Sequence, residues 1–235
     1  MVKVLLTGAT GSIGGAVLEQ CLAHPDISTV VAFARRKLPD KFTSDPKLHV
    51  EIMKDFSIWS EELLGPHRDA AAMIWAMGDY VGSENVTLQY PLAFQNAFIN
   101  IRTQSSSGEK LPFIHVHLSG KLSVQDQSQS LYFMQNSRKL KVWKTVYNYE
   151  ERKLAERYRP WFHLYVVRPG GVLRDKGWTA SLQELVMGRS WSVRARELSA
   201  YMVYLALGGE ESGAVIMNER IVEKGRELVG LYAWA

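Results

Sequence analysis

An apolar run, Val2 to Leu6, leads without a linker into Thr7-Gly8-Ala9-Thr10-Gly11-Ser12-Ile13-Gly14, and apolar residues then recur at helical spacing through Val17, Leu18 and Leu22. A strand, a turn with glycine at three fixed offsets and a helix, in that order, is the context in which a glycine pattern carries meaning. Gly8 is expected to make the tight turn, Gly11 to let backbone approach a phosphate, and Gly14 to let helix and strand pack closely. The helix N-terminus supplies unpaired N–H groups and the positive end of its dipole. The segment therefore predicts a dinucleotide pyrophosphate site formed by Gly8, Thr10, Gly11, Ser12, Ile13 and Gly14.

The rest of the chain repeats this alternation. Strand-like runs are read at Val2–Leu6, Thr29–Ala34, Leu48–Met53, Ala71–Met77, Phe113–Leu118 and His163–Val167, with helical patterns between them. That rhythm predicts an α/β fold, a doubly wound parallel sheet of the Rossmann type covered on both faces. A helical stretch over 86–101 contains Pro91, which should start or kink it. Residues 105–108 read as a loop. After Arg168-Pro169-Gly170-Gly171 the rhythm loosens into helical patterns near 179–187 and 197–207 and a short apolar run at 214–217. The 235 residues are read as one domain, 1–235, with 172–235 forming a small C-terminal lobe that contributes the substrate lid.

Composition excludes several classes. At 46% hydrophobic and 22% charged the chain is globular. Its net charge of +4 is spread along the sequence, so a nucleic-acid partner is not expected. No apolar stretch approaches the roughly 20 residues needed to span a bilayer, and Met1 leads straight into a strand with no basic leader. The one cysteine, Cys21, fits a reducing compartment. These features predict a cytoplasmic protein with a small-molecule substrate and no membrane partner; an oligomer is compatible but not indicated.

The second strand decides the cofactor type. It ends Ala34-Arg35-Arg36-Lys37, where a carboxylate would accept from free ribose hydroxyls and an arginine would receive a 2′-phosphate. Arg35 and Arg36 therefore predict NADP(H). Asp55 and Phe56, after the third strand, offer a carboxylate and a ring to an adenine, although Asp55 serves equally as a local cap.

These segments together resemble the short-chain dehydrogenase/reductase superfamily, and within it the atypical, epimerase-like branch frequent among fungal proteins. The resemblance rests on the 7–14 turn, Arg35-Arg36, Asp55-Phe56, Ser119-Gly120 after the fifth strand and Arg168-Pro169-Gly170 after the sixth. It covers roughly 1–175. It implies that Trp75-Ala76-Met77-Gly78 passes beside the nicotinamide ribose, with Ala76, Met77, Gly78 and Pro169 touching cofactor. It also implies a serine after the fifth strand and a Tyr-x-x-x-Lys pair on the next helix, the tyrosine as general acid/base and the lysine holding the ribose. Ser119 matches the serine.

Three arrangements stay open: the Tyr149/Lys153 pair, Lys141 as the cofactor lysine, or a site with neither. Tyr149 and Lys153 have the spacing, and i, i+4 places them on one helix face. Yet the site lies at the strands' carboxyl ends, so the pair belongs early in that helix. Lys153 stands roughly 24 Å along a helix starting near Ser137, at about 1.5 Å per residue. Lys141 is in better register, with Ser137 in the tyrosine position, and Tyr132 lies nearer the loop. The expected activity is an NADPH-dependent oxidoreductase acting on a small organic, polycyclic or aromatic substrate in biosynthetic metabolism. The alternative is an NADP(H)-binding regulator or sensor, or a non-redox isomerase or cyclase on the same fold.

Three further features read as structural. His115 and His117 point the same way from one strand, but no further ligand lies near them in sequence, so they read as packed or hydrogen-bonded and no metal is expected. Asn96 and Asn100 share a helix face and read as solvent-facing or capping groups. Trp161, Trp178 and Trp191 suit an aromatic-lined pocket or a core.

Overall fold

The computed structural model describes residues 1–78, 83, 85–104, 111–121, 150–173 and 190–232. The described elements are β1 (Val2–Thr7), α1 (Ser12–Ala23), β2 (Ile27–Ala34), α2 (Asp40–Thr43), β3 (Leu48–Ile52), α3 (Glu61–Leu64), β4 (Ala72–Trp75), α4 (Tyr90–Gln104), β5 (Phe113–Leu118), α5 (150–157), β6 (Phe162–Arg168), β7 (Gly171–Leu173), β8 (Ser192–Arg194), α6 (Ala195–Ala206), β9 (Val215–Met217) and α7 (Asn218–Tyr232).

Seven strands form one parallel sheet in the order β3-β2-β1-β4-β5-β6-β9. The order reverses between β1 and β4, and the crevice at such a switch point is where an open α/β sheet binds its ligand. Thr7, Trp75 and His117 stand in one register across that point. The sheet therefore has one strand more than the six read from sequence. Val215–Met217, read from sequence only as a short apolar run at 214–217, is the seventh strand and is held by pairing along Val166–Arg168.

Each strand sends alternate side chains to opposite faces. One face is aliphatic: Val4, Leu6, Val30, Ala32, Ile74 and Val116 meet helices α1, α6 and α7. The other is aromatic: Phe33, Trp75, Phe113 and Phe162 meet Trp59, Phe94 and Phe98. Both faces are covered, which explains strand sequences that are apolar throughout rather than alternating.

Local signals set the helix ends. His24, followed by Pro25, is already extended and closes α1. Ser60 caps α3 by accepting from the Leu63 N–H. Pro91 is the second residue of α4, where its missing N–H costs nothing, and a π-turn over Asn85–Gln89 precedes it. At α6, Glu197 accepts from the Arg194 N–H and from Arg226 Nε on α7, joining the two helices.

Residues 190–232 belong to the body of the fold. Helix α6 packs on α1 and α7, and β9 extends the sheet. The expected loop at 105–108 and helix at 179–187 lie outside the described residues.

Candidate active site

The glycine turn has the close approaches that the chemistry requires. Gly8 has φ +77°, and a Cβ there would lie 2.5 Å from the Ala76 carbonyl oxygen. A Cβ on Gly14 would lie 2.1 Å from the Gly8 carbonyl oxygen. Real side chains cannot occupy either position, so both glycines are structural necessities. Gly11 donates to the Gly8 carbonyl at 2.8 Å and caps α1 without a side chain. No side chain therefore closes the first turn of α1, whose N–H groups are available to an anion.

A cleft of about 610 Å³ opens at this point, lined by Thr10, Gly11, Ser12, Arg36, Lys37 and Lys41 among others. Arg36 lines it, whereas Arg35, equally exposed, does not. Lys41, which the sequence reading passed over, adds a third cation beside Arg36 and Lys37. It is held by Glu19 and lies 4.3 Å from the Phe42 ring centroid. Its spacing of four residues from Lys37, just after the arginine pair, was the available signal.

Beyond β3, Asp55 accepts from both the Ser57 N–H at 2.8 Å and the Ser57 hydroxyl at 2.7 Å. The backbone N–H of Ser57, then its hydroxyl, hold the exposed carboxyl below its usual range. Asp55 thus closes a local turn, and the helix that follows is capped by Ser60. Phe56 is 2% exposed, its ring packed on Trp59 and Tyr90. That ring faces the core rather than an open adenine site, because the aromatic face of the sheet draws it inward.

At the carboxyl end of β4, Ala76 donates to the Thr7 carbonyl, while Ala76 and Met77 run past Gly8. Among the described residues, a Cβ on Gly78 would meet no atom within 4 Å. At the ends of β5 and β6, the Ser119 N–H donates to Val167, and the Lys121 N–H to the Pro169 carbonyl. Ser119 is 7% exposed. A Cβ on Gly170 would meet the Trp191 carbonyl oxygen at 2.4 Å, and its N–H donates to Asn218. Asn218 in turn donates to Ser192. The glycine turn, Ala76–Gly78, Ser119 and Pro169 thus share the carboxyl edge of the sheet.

Lys153 does not join them. It is exposed on α5, 3.8 Å from Glu150, and α5 ends just before β6 begins at the opposite edge. Lys141, Tyr132 and Tyr149 lie outside the described residues, as does Trp178. Asn96 and Asn100 face solvent. Trp161 is a core residue and Trp191 is half exposed.

Among the polar residues of α4 that turn inward is Gln95, which meets groups far away in sequence. Its amide nitrogen lies 2.8 Å from His115 Nδ1 and donates to Glu151 Oε1 at 2.6 Å. Burial pushes the His115 imidazole down to about 3, so it is neutral. His117 lies beside the same carboxylate. Sequence offered the two histidines no third ligand; the fold supplies Glu151 from α5.

Among the described residues, no helix is long and apolar enough to cross a membrane. No protein-family model and no curated protein matches the chain in sequence. Solved structures do match. The FolM alternative dihydrofolate reductase 1 of Brucella canis, complexed with NADP, aligns with TM-score 0.66 at 16% identity, covering 94% of each chain. A short-chain dehydrogenase/reductase of Saccharomyces cerevisiae aligns with TM-score 0.66 at 13% identity, over 93% of this chain and 96% of the other. Gre2 of Candida albicans, in complex with NADPH, aligns with TM-score 0.63 at 14% identity, over 92% and 78%. The fold is that of the short-chain dehydrogenases. The match extends across 92–94% of the chain and lies in backbone architecture.

Proposed function

We propose that this chain binds NADP(H) and is an NADPH-dependent oxidoreductase of the short-chain dehydrogenase type acting on a small organic substrate. The observation that carries the reading is the cleft in which an uncapped α1 N-terminus and the cations Arg36, Lys37 and Lys41 line one space. A dinucleotide pyrophosphate takes the N–H donors and the dipole end. A 2′-phosphate takes the cations, which form charge-assisted hydrogen bonds with it. The close approaches at Gly8 and Gly14, where a Cβ would collide with backbone, fit a turn drawn tight beneath such a group. FolM and Gre2 carry NADP and NADPH in their structures, which supports the same assignment here.

Once bound, the dinucleotide supplies hydride chemistry at its nicotinamide. The chain's part is positioning. Ser119, at the carboxyl end of β5, orients a substrate carbonyl by donating its hydroxyl proton. Lys141 holds the nicotinamide ribose, and Tyr132 approaches the substrate. Asp55, through its carboxylate, and the backbone of Phe56 border the adenine, while Ala76, Met77, Gly78 and Pro169 border the nicotinamide. The substrate lid falls within 172–235. Single-domain organisation, a cytoplasmic location and a role in biosynthetic metabolism complete this reading.

One observation favours a second reading. Lys153 faces solvent, so the Tyr149/Lys153 pair is not assembled at the sheet's carboxyl edge. On that reading the chain is an NADP(H) sensor, or a non-redox isomerase or cyclase. Calorimetric titration with NADPH and NADH tests the shared premise. NADPH should bind at least tenfold tighter, and Arg36→Ser should remove about 1.4 kcal/mol of that preference. Equal binding of NADH overturns the 2′-phosphate assignment. Hydride transfer to a panel of carbonyl substrates then separates the two readings: turnover that survives Tyr149→Phe supports the oxidoreductase with Lys141, and no turnover despite NADPH binding supports the sensor.

A further inference from the structure

We propose that His115, His117 and Glu151 bind one divalent transition-metal ion, of the zinc class, between β5 and α5. The proposal rests on this cluster alone and is independent of the cofactor reading. The three side chains are 0%, 4% and 0% exposed. One ligating atom from each lies within 4.8 Å of the others. His115 Nε2 and His117 Nδ1 both stand 3.9 Å from the same oxygen, Glu151 Oε1. That spacing is too long for a hydrogen bond. It is close to what two ligands about 2.0–2.2 Å from a shared ion subtend, after a small contraction. Among the described residues, buried His115 Nε2 has no hydrogen-bond partner. An ion between the three gives that nitrogen a partner.

The donors name the class of ion. Two imidazole nitrogens and one carboxylate oxygen suit zinc and its neighbours, whereas magnesium and calcium take oxygen throughout. Three protein ligands leave a fourth position for water or a further donor. Gln95 supplies the outer support that metal-binding histidines ordinarily have. Its amide is 2.8 Å from His115 Nδ1, and turning it end for end lets its oxygen accept the Nδ1 proton, leaving Nε2 as the ligand. The contact between Gln95 and Glu151 then opens as the carboxylate swings onto the ion. His117 lies two residues before Ser119, so the ion would pin α5 against the strand whose end carries that serine.

The test uses the full chain made without a polyhistidine tag, stripped with a chelator and refilled with Zn²⁺ or Co²⁺. Elemental analysis should find one ion per chain. The cobalt form should show the visible ligand-field absorption of a low-coordinate site, Zn²⁺ should raise Tm, and Mg²⁺ should do neither. His117→Gln and Glu151→Gln should each bring the ion content and the cobalt band near zero while circular dichroism keeps its helical signal. If those variants fail to fold, the wild-type cobalt spectrum and stoichiometry decide alone. A folded wild type with metal at buffer level and no cobalt band overturns the proposal. So does an ion that remains, unchanged, in folded His117→Gln and Glu151→Gln.

Discussion

The two faces of the sheet are built from different materials. The face under α1, α6 and α7 is filled with Val, Leu, Ile and Ala, and helix approaches there are close: a Cβ on Gly225 of α7 would lie 2.5 Å from the Glu197 carbonyl oxygen of α6. The face under α3, α4 and α5 is filled with rings in mutual contact, among them Phe94 with Trp59 at 5.0 Å and Phe98 with Phe113 at 4.3 Å. Both sides bury polar groups: Glu197 with Arg226 and Asn218 with Ser192 lie at helix ends on the aliphatic side, whereas on the aromatic side polar groups sit among the rings themselves. Arg102, 6% exposed, lies 5.3–5.7 Å from three rings, and the Gln95, His115, His117 and Glu151 group is buried beside them. The electron-rich ring faces attract the Arg102 guanidinium, a contact that aliphatic side chains cannot make. The glycine-turn cleft borders the aliphatic face, through Ala9, Leu38 and Phe42, while the buried histidines border the aromatic one.

Substitutions can break or sharpen this contrast. The largest effect should come from Phe94→Ala, which removes a fully buried ring contacting Trp59, Trp75 and Phe98, at a cost of about 3–5 kcal/mol by denaturant unfolding. A cost near 1 kcal/mol would mean that the aromatic face is loosely packed. Gln95→Leu comes next. It leaves Glu151 Oε1 and His115 Nδ1 without the amide between them and should cost about 1–3 kcal/mol. A neutral result would place the amide outside any network. Leu205→Met on the aliphatic face conserves volume and should cost under about 1.5 kcal/mol; a larger loss would show that this face is the less tolerant one.

The smallest effect is a pH slope belonging to the aromatic face. Burial, then the nearby Lys3 charge, lowers the His67 imidazole from its ordinary 6.5, and its ring edges onto Phe33. The unfolded chain therefore takes up a proton that the native chain resists, and stability falls as pH drops below 6.5 and is unaffected above it. His67→Gln should make Tm less steep against pH in that window, the remaining slope belonging to His115 and His24, whose imidazoles burial also lowers, whereas an unchanged profile would assign the slope wholly to them. Cys21 reports on the other face. Burial pushes its thiol up to about 12, so an alkylating reagent at neutral pH should label it only after denaturation.

The aliphatic face and the glycine turn were the legible part of the sequence. Gly8, Gly11 and Gly14 lie within one strand-turn-helix, and local spacing specifies what they touch. Gly8 nonetheless has a second role that spacing hides, its approach to Ala76 across the switch point. The buried polar group was illegible for the opposite reason. It joins position 95, positions 115 and 117, and position 151, three segments that only the closed fold brings together. Asn96 and Asn100 drew attention in α4 because they are polar, yet Gln95 turns inward. Phe56 misled because an aromatic after β3 suits either a ligand or a core, and the rings already on that face settled the matter.

Strand β9 gives the fold a dependence on order of synthesis. Its three residues pair with the end of β6, and α7, which follows, closes over α6. A nascent chain emerging from the ribosome can lay down β1 to β6 early, but half of its aliphatic layer has no cover until residues 195–232 have cleared the exit tunnel. Until then the chain presents a broad greasy surface to whatever surrounds it, and a stop codon even a few dozen residues early would leave it there permanently, as a client for chaperones and proteases.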